Sequence, residues 1–195
     1  MHTGSIATVL EPGCRTVDRQ LDTYRTSATV TFDPNVRPAL ITDASLARDR
    51  IERLVERSDV VKASDEDLQW LAPYTSPEEL VRRWAEKGPA LVAVTLGRDG
   101  AFAVSAAGSV RVPARSVQVV DTVGAGDSFM TGMLDALWSL DLLGADRRPA
   151  LHAISTAQLR TVLEAAVLNS ALTVAQAGAV LPDRAARDAA ARAAK

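Results

Sequence analysis

Disulfide chemistry is the first thing this sequence excludes. One of its 195 residues is cysteine, Cys14, and a lone thiol has no internal partner. A reducing compartment, the cytoplasm, is the expected setting. Histidine is almost as scarce: His2 and His152 show no metal-ligand spacing. A basic excess is also missing. The formal net charge is -2 and the pI about 5.7, which argues against a nucleic-acid partner. No apolar run approaches the length of a membrane span. The opening MHTGSIATVL lacks the basic stretch and long apolar core of a signal peptide. No internal repeat and no low-complexity linker interrupts the chain, so residues 1–195 are expected to form one domain. The three tryptophans, Trp70, Trp84 and Trp138, are spread through helical segments and suit packing better than ligand stacking.

What is present suits a globular domain with a sizeable core: 47% hydrophobic and 24% charged residues. Short apolar runs at Ser5–Leu10, Ala28–Phe32, Asp59–Ala63 and Leu91–Leu96 predict buried strands. Helical spacing predicts helices over Arg15–Arg25, Leu46–Arg57, Ser64–Leu71, Ala125–Leu142 and Leu159–Gln176. Ser76-Pro77-Glu78-Glu79 has the residues of a capping box with proline at the first helical position, and that helix should run to about Lys87. Ala101–Ser105 and Ser109–Val112 suggest a hairpin, and Val117–Val120 one more strand or extended approach. The Ala- and Arg-rich tail DRAARDAAARAAK suggests a surface helix or frayed end. Strands alternating with helices predict an α/β fold, a mostly parallel sheet with helices on both faces.

Chemistry concentrates in Asp121-Thr122-Val123-Gly124-Ala125-Gly126-Asp127-Ser128-Phe129. A strand-like approach ends in a Gly-Ala-Gly turn, and a helix follows. Small residues let the backbone approach a ligand closely, and the first turn of a helix offers free N–H groups that suit a phosphate. A carboxylate at this point is electrostatically awkward unless it has work to do. The work that fits is taking a proton from a hydroxyl while the amides hold the charge of a transferring phosphoryl group. A bare glycine-rich helix start with an Asp in its first turn would need no such reading; the nine-residue string is far more specific than that.

This string resembles the C-terminal signature of PfkB (ribokinase-like) carbohydrate kinases. The resemblance implies that Gly124, Ala125 and Gly126 form an anion hole and that Asp127 is the base that activates a sugar hydroxyl. It also implies a ribokinase-like, Rossmann-type fold, with ATP and Mg²⁺ as cofactors. Three further stretches agree in order and spacing. Thr95-Leu96-Gly97-Arg98-Asp99-Gly100 resembles the TLGxxG segment that meets the nucleotide, so Thr95, Gly97 and Gly100 become nucleotide-binding candidates; a tight hairpin turn would explain them equally well. Phe32-Asp33-Pro34-Asn35-Val36-Arg37-Pro38 resembles the DPNxR stretch of fructokinase-like members, which makes Asn35 and Arg37 substrate candidates; a surface arginine on a turn is the alternative. Lys62-Ala63-Ser64-Asp65-Glu66-Asp67-Leu68 resembles the family's K-x-N-x-x-E region, with Ser64 in place of Asn and Asp67 in place of Glu. Those two residues would act on Mg²⁺ through water; Asp65 and Glu66, as an acidic helix N-terminus that serves only capping, stay outside the site.

The resemblance also places Asp121 and Val123 at a monovalent-cation site, K⁺ among the candidates, completed by carbonyls near Gln176–Ala179. Asn169 would border adenine, or be a satisfied buried amide. Only the later part of a family member is covered. The N-terminal Gly-Gly signature, the first βα units and the lid strands have no counterpart here. Exposed sheet edges in such a chain predict reduced stability and a tendency to associate, a homodimer included. Without a lid, water reaches the site, and effective transfer to sugar is in doubt. The expected reaction is hexose plus ATP giving hexose phosphate plus ADP, fructose being the leading acceptor. Ribose, a ketodeoxy sugar acid and a nucleoside are the other acceptors, and a nucleotide-binding fragment without turnover is the alternative outside catalysis.

Overall fold

A computed structural model describes residues 1–193. Six strands form one sheet in sequential order: β1 His2–Gly4, β2 Thr31–Asp33, β3 Val60–Ser64, β4 Leu91–Thr95, β5 Ala101–Ser105 and β6 Gly108–Val112. The pairings from β1 to β4 are parallel. β5 runs antiparallel to β4, and β6 antiparallel to β5. The parallel connections carry α1 Gly13–Tyr24, α2 Ala44–Glu56, α3 Asp65–Leu71 and α4 Pro77–Ala85. After the hairpin come α5 Ala125–Ser139, α6 Arg148–His152, α7 Thr156–Val174 and α8 Arg184–Ala193.

Alternation along the strands divides the interior into two layers. Phe32, Val61, Val92, Val94 and Phe102 face the α1–α4 side, where they meet Leu21, Ile51, Leu68 and Trp84. Val60, Leu91, Ala93, Ala101 and Ala103 face the other side, where they meet Phe129, Met133, Leu159 and Leu163 of α5 and α7. Central strands buried on both faces must be apolar throughout, which is why VVKAS and LVAVT stand out in the sequence. α5 and α7 approach closely at Gly132, where a β-carbon would stand 2.8 Å from Ala166 Cα.

The expected α/β class, the hairpin and helices on both faces are all present. Two strand expectations are not. Ser5–Thr8 is a 3-10 turn and the first strand is His2–Gly4, because Ser5 adopts φ 56° and cannot continue an extended ladder. Val117–Val120 forms no strand; Val120 N–H instead donates to Val174 O at 2.8 Å, so the segment runs along the end of α7. Helix starts were read more accurately. Ser64 and Asp67 make a complete capping box, whereas Ser76 makes only its half, accepting from Glu79 N–H.

Candidate active site

In a parallel sheet the C-terminal strand ends lie together. Here they deliver Asp33, Ser64 and Thr95 to one edge of the molecule. The turn before α5 reaches the same edge. Gly124 is its N-cap, with φ 78°, a left-handed conformation that suits glycine. A β-carbon at Gly124 would stand 2.7 Å from Ala179 Cβ, so this turn is packed against the Gln176–Val180 segment. Asp121 ties the two segments together: Oδ1 accepts from Val123 N–H at 3.0 Å and Oδ2 from Gly178 N–H at 2.9 Å. Those amide hydrogen bonds hold its carboxyl below the usual range.

The amides of the turn are not equivalent. Ala125 N–H donates to Thr122 O at 3.2 Å and is spent on the turn itself. The Gly126 and Asp127 N–H groups have no acceptor among the described residues, and no side chain caps the helix. Of the expected Gly124–Ala125–Gly126 set, Ala125 is therefore committed to the turn, while the Gly124 and Gly126 amides stay unclaimed and the Asp127 amide joins them as an available donor. The Asp127 side chain is exposed at this open end. It lies within electrostatic reach of His2. Burial pushes the His2 imidazole below its ordinary value, and the Asp33 and Asp127 carboxylates partly offset that.

Two groups that sequence reasoning left out sit beneath α5. The Lys62 ammonium donates to Asp33 Oδ2 at 2.8 Å, both side chains being nearly inaccessible. Asp33 Oδ1 accepts from Asn35 N–H at 3.2 Å. Burial lifts the Asp33 carboxyl above its usual value, and Lys62 pulls it partly back. A lysine inside the apolar run VVKAS was the available signal.

The remaining candidates divide by location. Arg37 folds back on its own turn, donating to Asn35 Oδ1 at 2.5 Å and Val36 O at 3.1 Å. Thr95 ends β4, and Gly97 has φ 51° with open space where a side chain would be. Gly100 is glycine for a structural reason, since a β-carbon would stand 2.1 Å from Val112 O. The Asp67 carboxylate is buried, with Oδ1 accepting from Val36 N–H at 2.7 Å and Oδ2 from Ser64 N–H at 2.9 Å. Asn169 lies in the α5–α7 seam, where its backbone carbonyl accepts from Ser128 Oγ at 3.0 Å. No group of three or more His, Cys, Asp or Glu is arranged for a metal ion among the described residues. Two clefts lie away from these groups, one beside α3 lined by Asp65 and Trp70, the other between α4 and the hairpin lined by Arg82 and Ser105.

A glycine turn feeds a helix start set over the C-terminal ends of parallel strands, beside an exposed carboxylate, the place where open α/β folds receive ligands and where a helix N-terminus would face an anion. Comparison with known proteins gives the family. Residues 3–186 match the pfkB family carbohydrate kinase model, and the chain belongs to that family. It is 39% identical over 143 residues to a fructokinase of Rhizobium leguminosarum bv. trifolii, covering 73% of this chain and 44% of that protein. A double mutant of Vibrio cholerae O395 fructokinase, solved with fructose, ADP and potassium ion, matches with a TM-score of 0.79 and 29% identity. That match covers 96% of this chain and 58% of the other. Aminoimidazole riboside kinase from Salmonella enterica, at 23% identity, shares the fold with a TM-score of 0.78, covering 96% of this chain and 60% of its own. The chain thus spans about half the length of the curated relatives it matches.

Proposed function

We propose that this chain carries the nucleotide-binding and catalytic part of an ATP-dependent sugar kinase acting on a hexose, with fructose the leading acceptor. The observation that carries this reading is the pair of uncapped amides, Gly126 and Asp127, beside the exposed Asp127 carboxylate at the start of α5. In the reaction Asp127 takes the proton of a sugar hydroxyl. The hydroxyl oxygen bonds to the γ-phosphorus of ATP, the β–γ P–O bond breaks, and ADP leaves with the electron pair. The amides hold charge on the moving phosphoryl group. In this reading Thr95 and Gly97 would meet the nucleotide, and Asn35 and Arg37 the acceptor sugar. Asn169, buried in the α5–α7 seam with its Nδ2 donating to Ser128 O at 3.5 Å, would border adenine from within the seam.

Magnesium would come bound to the ATP phosphates, neutralising charge, and needs few protein ligands. Asp67 does not fit as a direct ligand, since each oxygen already holds a backbone amide and the side chain is buried. Its effect, with Ser64, runs through water or through positioning of the Val36 turn. A monovalent cation fits the loop pair joined by Asp121, with carbonyls at Asp121, Val123 and 176–179 as the donor type. No described helix is long and apolar enough to cross a membrane, and a cytoplasmic setting is part of this reading.

An ADP-release assay over a sugar panel tests the proposal. Fructose should give the highest turnover, and Asp127→Asn should lower it by roughly 10²–10⁴-fold, the range for a general base, while ADP still binds. Unchanged turnover in that variant removes the mechanism. The share of each relative covered favours a second reading, in which these 195 residues bind nucleotide without transferring its phosphoryl group. ADP binding without ADP release on any sugar would select it.

A further inference from the structure

Lys62 is the one charged residue of β3, and its side chain is 4% exposed. Burying an ammonium is costly unless it is well paired, and an apolar residue would fill a strand interior at no such cost. Strand alternation turns Thr31, Asp33 and Lys62 toward the face covered by α5. There Asp33 Oδ2 receives the ammonium at 2.8 Å. The other side of the ammonium meets α5. A β-carbon on Gly126 would stand 2.9 Å from Lys62 Nζ and 4.0 Å from Cε, and no other group comes as near. Gly126 has ordinary helical geometry, so no backbone demand explains the glycine. The glycine leaves room for the lysine end, which is held in place by its bond to Asp33.

We propose that Lys62, pinned by Asp33, is a positioning residue that fixes a buried positive charge beneath the first turn of α5. That charge strengthens phosphate binding at the Gly126 and Asp127 amides, and position 126 is glycine to admit it. The inference rests on the phosphoryl-transfer reading and adds the residue that sets its anion affinity. Since Asp33 neutralises Lys62, the pair acts as an oriented dipole with its positive end toward the helix start. It adds to the partial positive charge that a helix N-terminus already carries. Both side chains are nearly inaccessible, so the dipole is weakly screened.

Calorimetric titration of the full chain with ADP and, separately, with adenosine tests this. The double variant Lys62→Met/Asp33→Asn removes both charges and leaves no buried carboxylate unpaired. ADP affinity should fall about tenfold, the scale of one lost charge interaction near a protein surface, with adenosine affinity unchanged. Asp33→Asn alone keeps the ammonium and should retain ADP affinity. Undiminished ADP affinity in the double variant overturns the proposal. So does an equal loss for ADP and adenosine, which is what a purely structural pair would give. If the double variant does not fold, the milder pair Lys62→Gln/Asp33→Asn, which also removes both charges, is put through the same two titrations with the same criteria. An unaltered chain that binds ADP but phosphorylates no sugar defeats the proposed function and leaves this comparison intact. A chain that binds no ADP defeats both.

Discussion

Gly124 and Gly97 both have positive φ, and comparing them separates backbone strain from packing. Gly124 has φ 78°, and its missing β-carbon would lie 2.7 Å from Ala179 Cβ and 3.1 Å from Ala179 Cα. Gly97 has φ 51° and nothing within 4 Å of that point. An L-residue in the left-handed region costs about 1 kcal/mol or somewhat more. Gly97→Ala should incur that cost alone. Gly124→Ala adds overpacking, so its total should be about 3 kcal/mol. For a chain of this size that corresponds to a fall in melting temperature of roughly 2–4 °C for Gly97→Ala and 6–12 °C for Gly124→Ala. Circular dichroism melts of the two variants, run side by side, measure the difference. Adding Ala179→Gly to Gly124→Ala removes the nearest contact and should recover part of the loss, leaving the φ cost. ADP affinity should fall with Gly124→Ala, since the turn that aims the α5 amides is what gets displaced. Two variants melting within a degree of each other would refute the packing argument.

Two other perturbations follow from buried and semi-buried ion pairs. Arg148 Nε meets Asp59 Oδ1 at 2.5 Å, and its Nη2 donates to Asp59 Oδ2 and to the carbonyls of Arg25 and Ala28. Arg148→Ala leaves the carboxylate of Asp59, a residue 3% exposed, with the Val30 N–H as its remaining partner and should cost about 3 kcal/mol in urea unfolding, with Arg148→Lys recovering only part; a loss below about 1 kcal/mol would show that Asp59 finds water. Asp135 receives Arg184 and Arg187 from α8. Burial pushes its carboxyl up, but the two arginines outweigh that and hold it below the ordinary value. The depressed group stabilises α8 docking above the unfolded carboxyl pKa near 3.9, and that contribution is lost as pH falls through the lower folded value. Hydrogen exchange across α8 should therefore accelerate in acid in the parent chain and show a weaker acid dependence in Asp135→Asn. An unchanged pH profile in that variant would count against the pair.

Local chemistry was legible in the sequence, and long-range pairing was not. β3 and β4 stood out because strands buried on both faces are mainly apolar, and α3 because a serine and acidic first-turn residues mark its start. The first strand was displaced because Ser5–Leu10 is apolar without being extended; its φ of 56° at Ser5 is a tertiary outcome with no local sequence mark. α6 escaped notice altogether. It is five residues long and is anchored by Arg148 on Asp59, 89 positions away. The site divides the same way. Asp121 to Asp127 is one continuous stretch, so its turn and helix start could be read directly. Asp33, Lys62 and Gly126 come from three separate elements and meet only after β2, β3 and α5 are stacked. The closure of the Ala125 amide onto Thr122 depends on turn geometry rather than on residue type, and leaves no mark in the sequence.

Why the α5 start lands on this edge at all is a matter of counting strands. β1 to β4 are parallel, so their C-terminal ends coincide. After β4 the chain makes two antiparallel strands. β5 carries it to the opposite edge and β6 carries it back, so Val112 ends level with Ala101, beside the β4–β5 turn. The tight approach of Gly100 to Val112 O and Ala114 N marks that return. A single antiparallel strand would have brought α5 in from the other edge, and its free amides would face away from Asp33 and Lys62. The hairpin therefore does more than extend the sheet. It sets the polarity of α5, turning the positive end of the helix toward the carboxyl ends of the strands, above the buried Lys62–Asp33 pair.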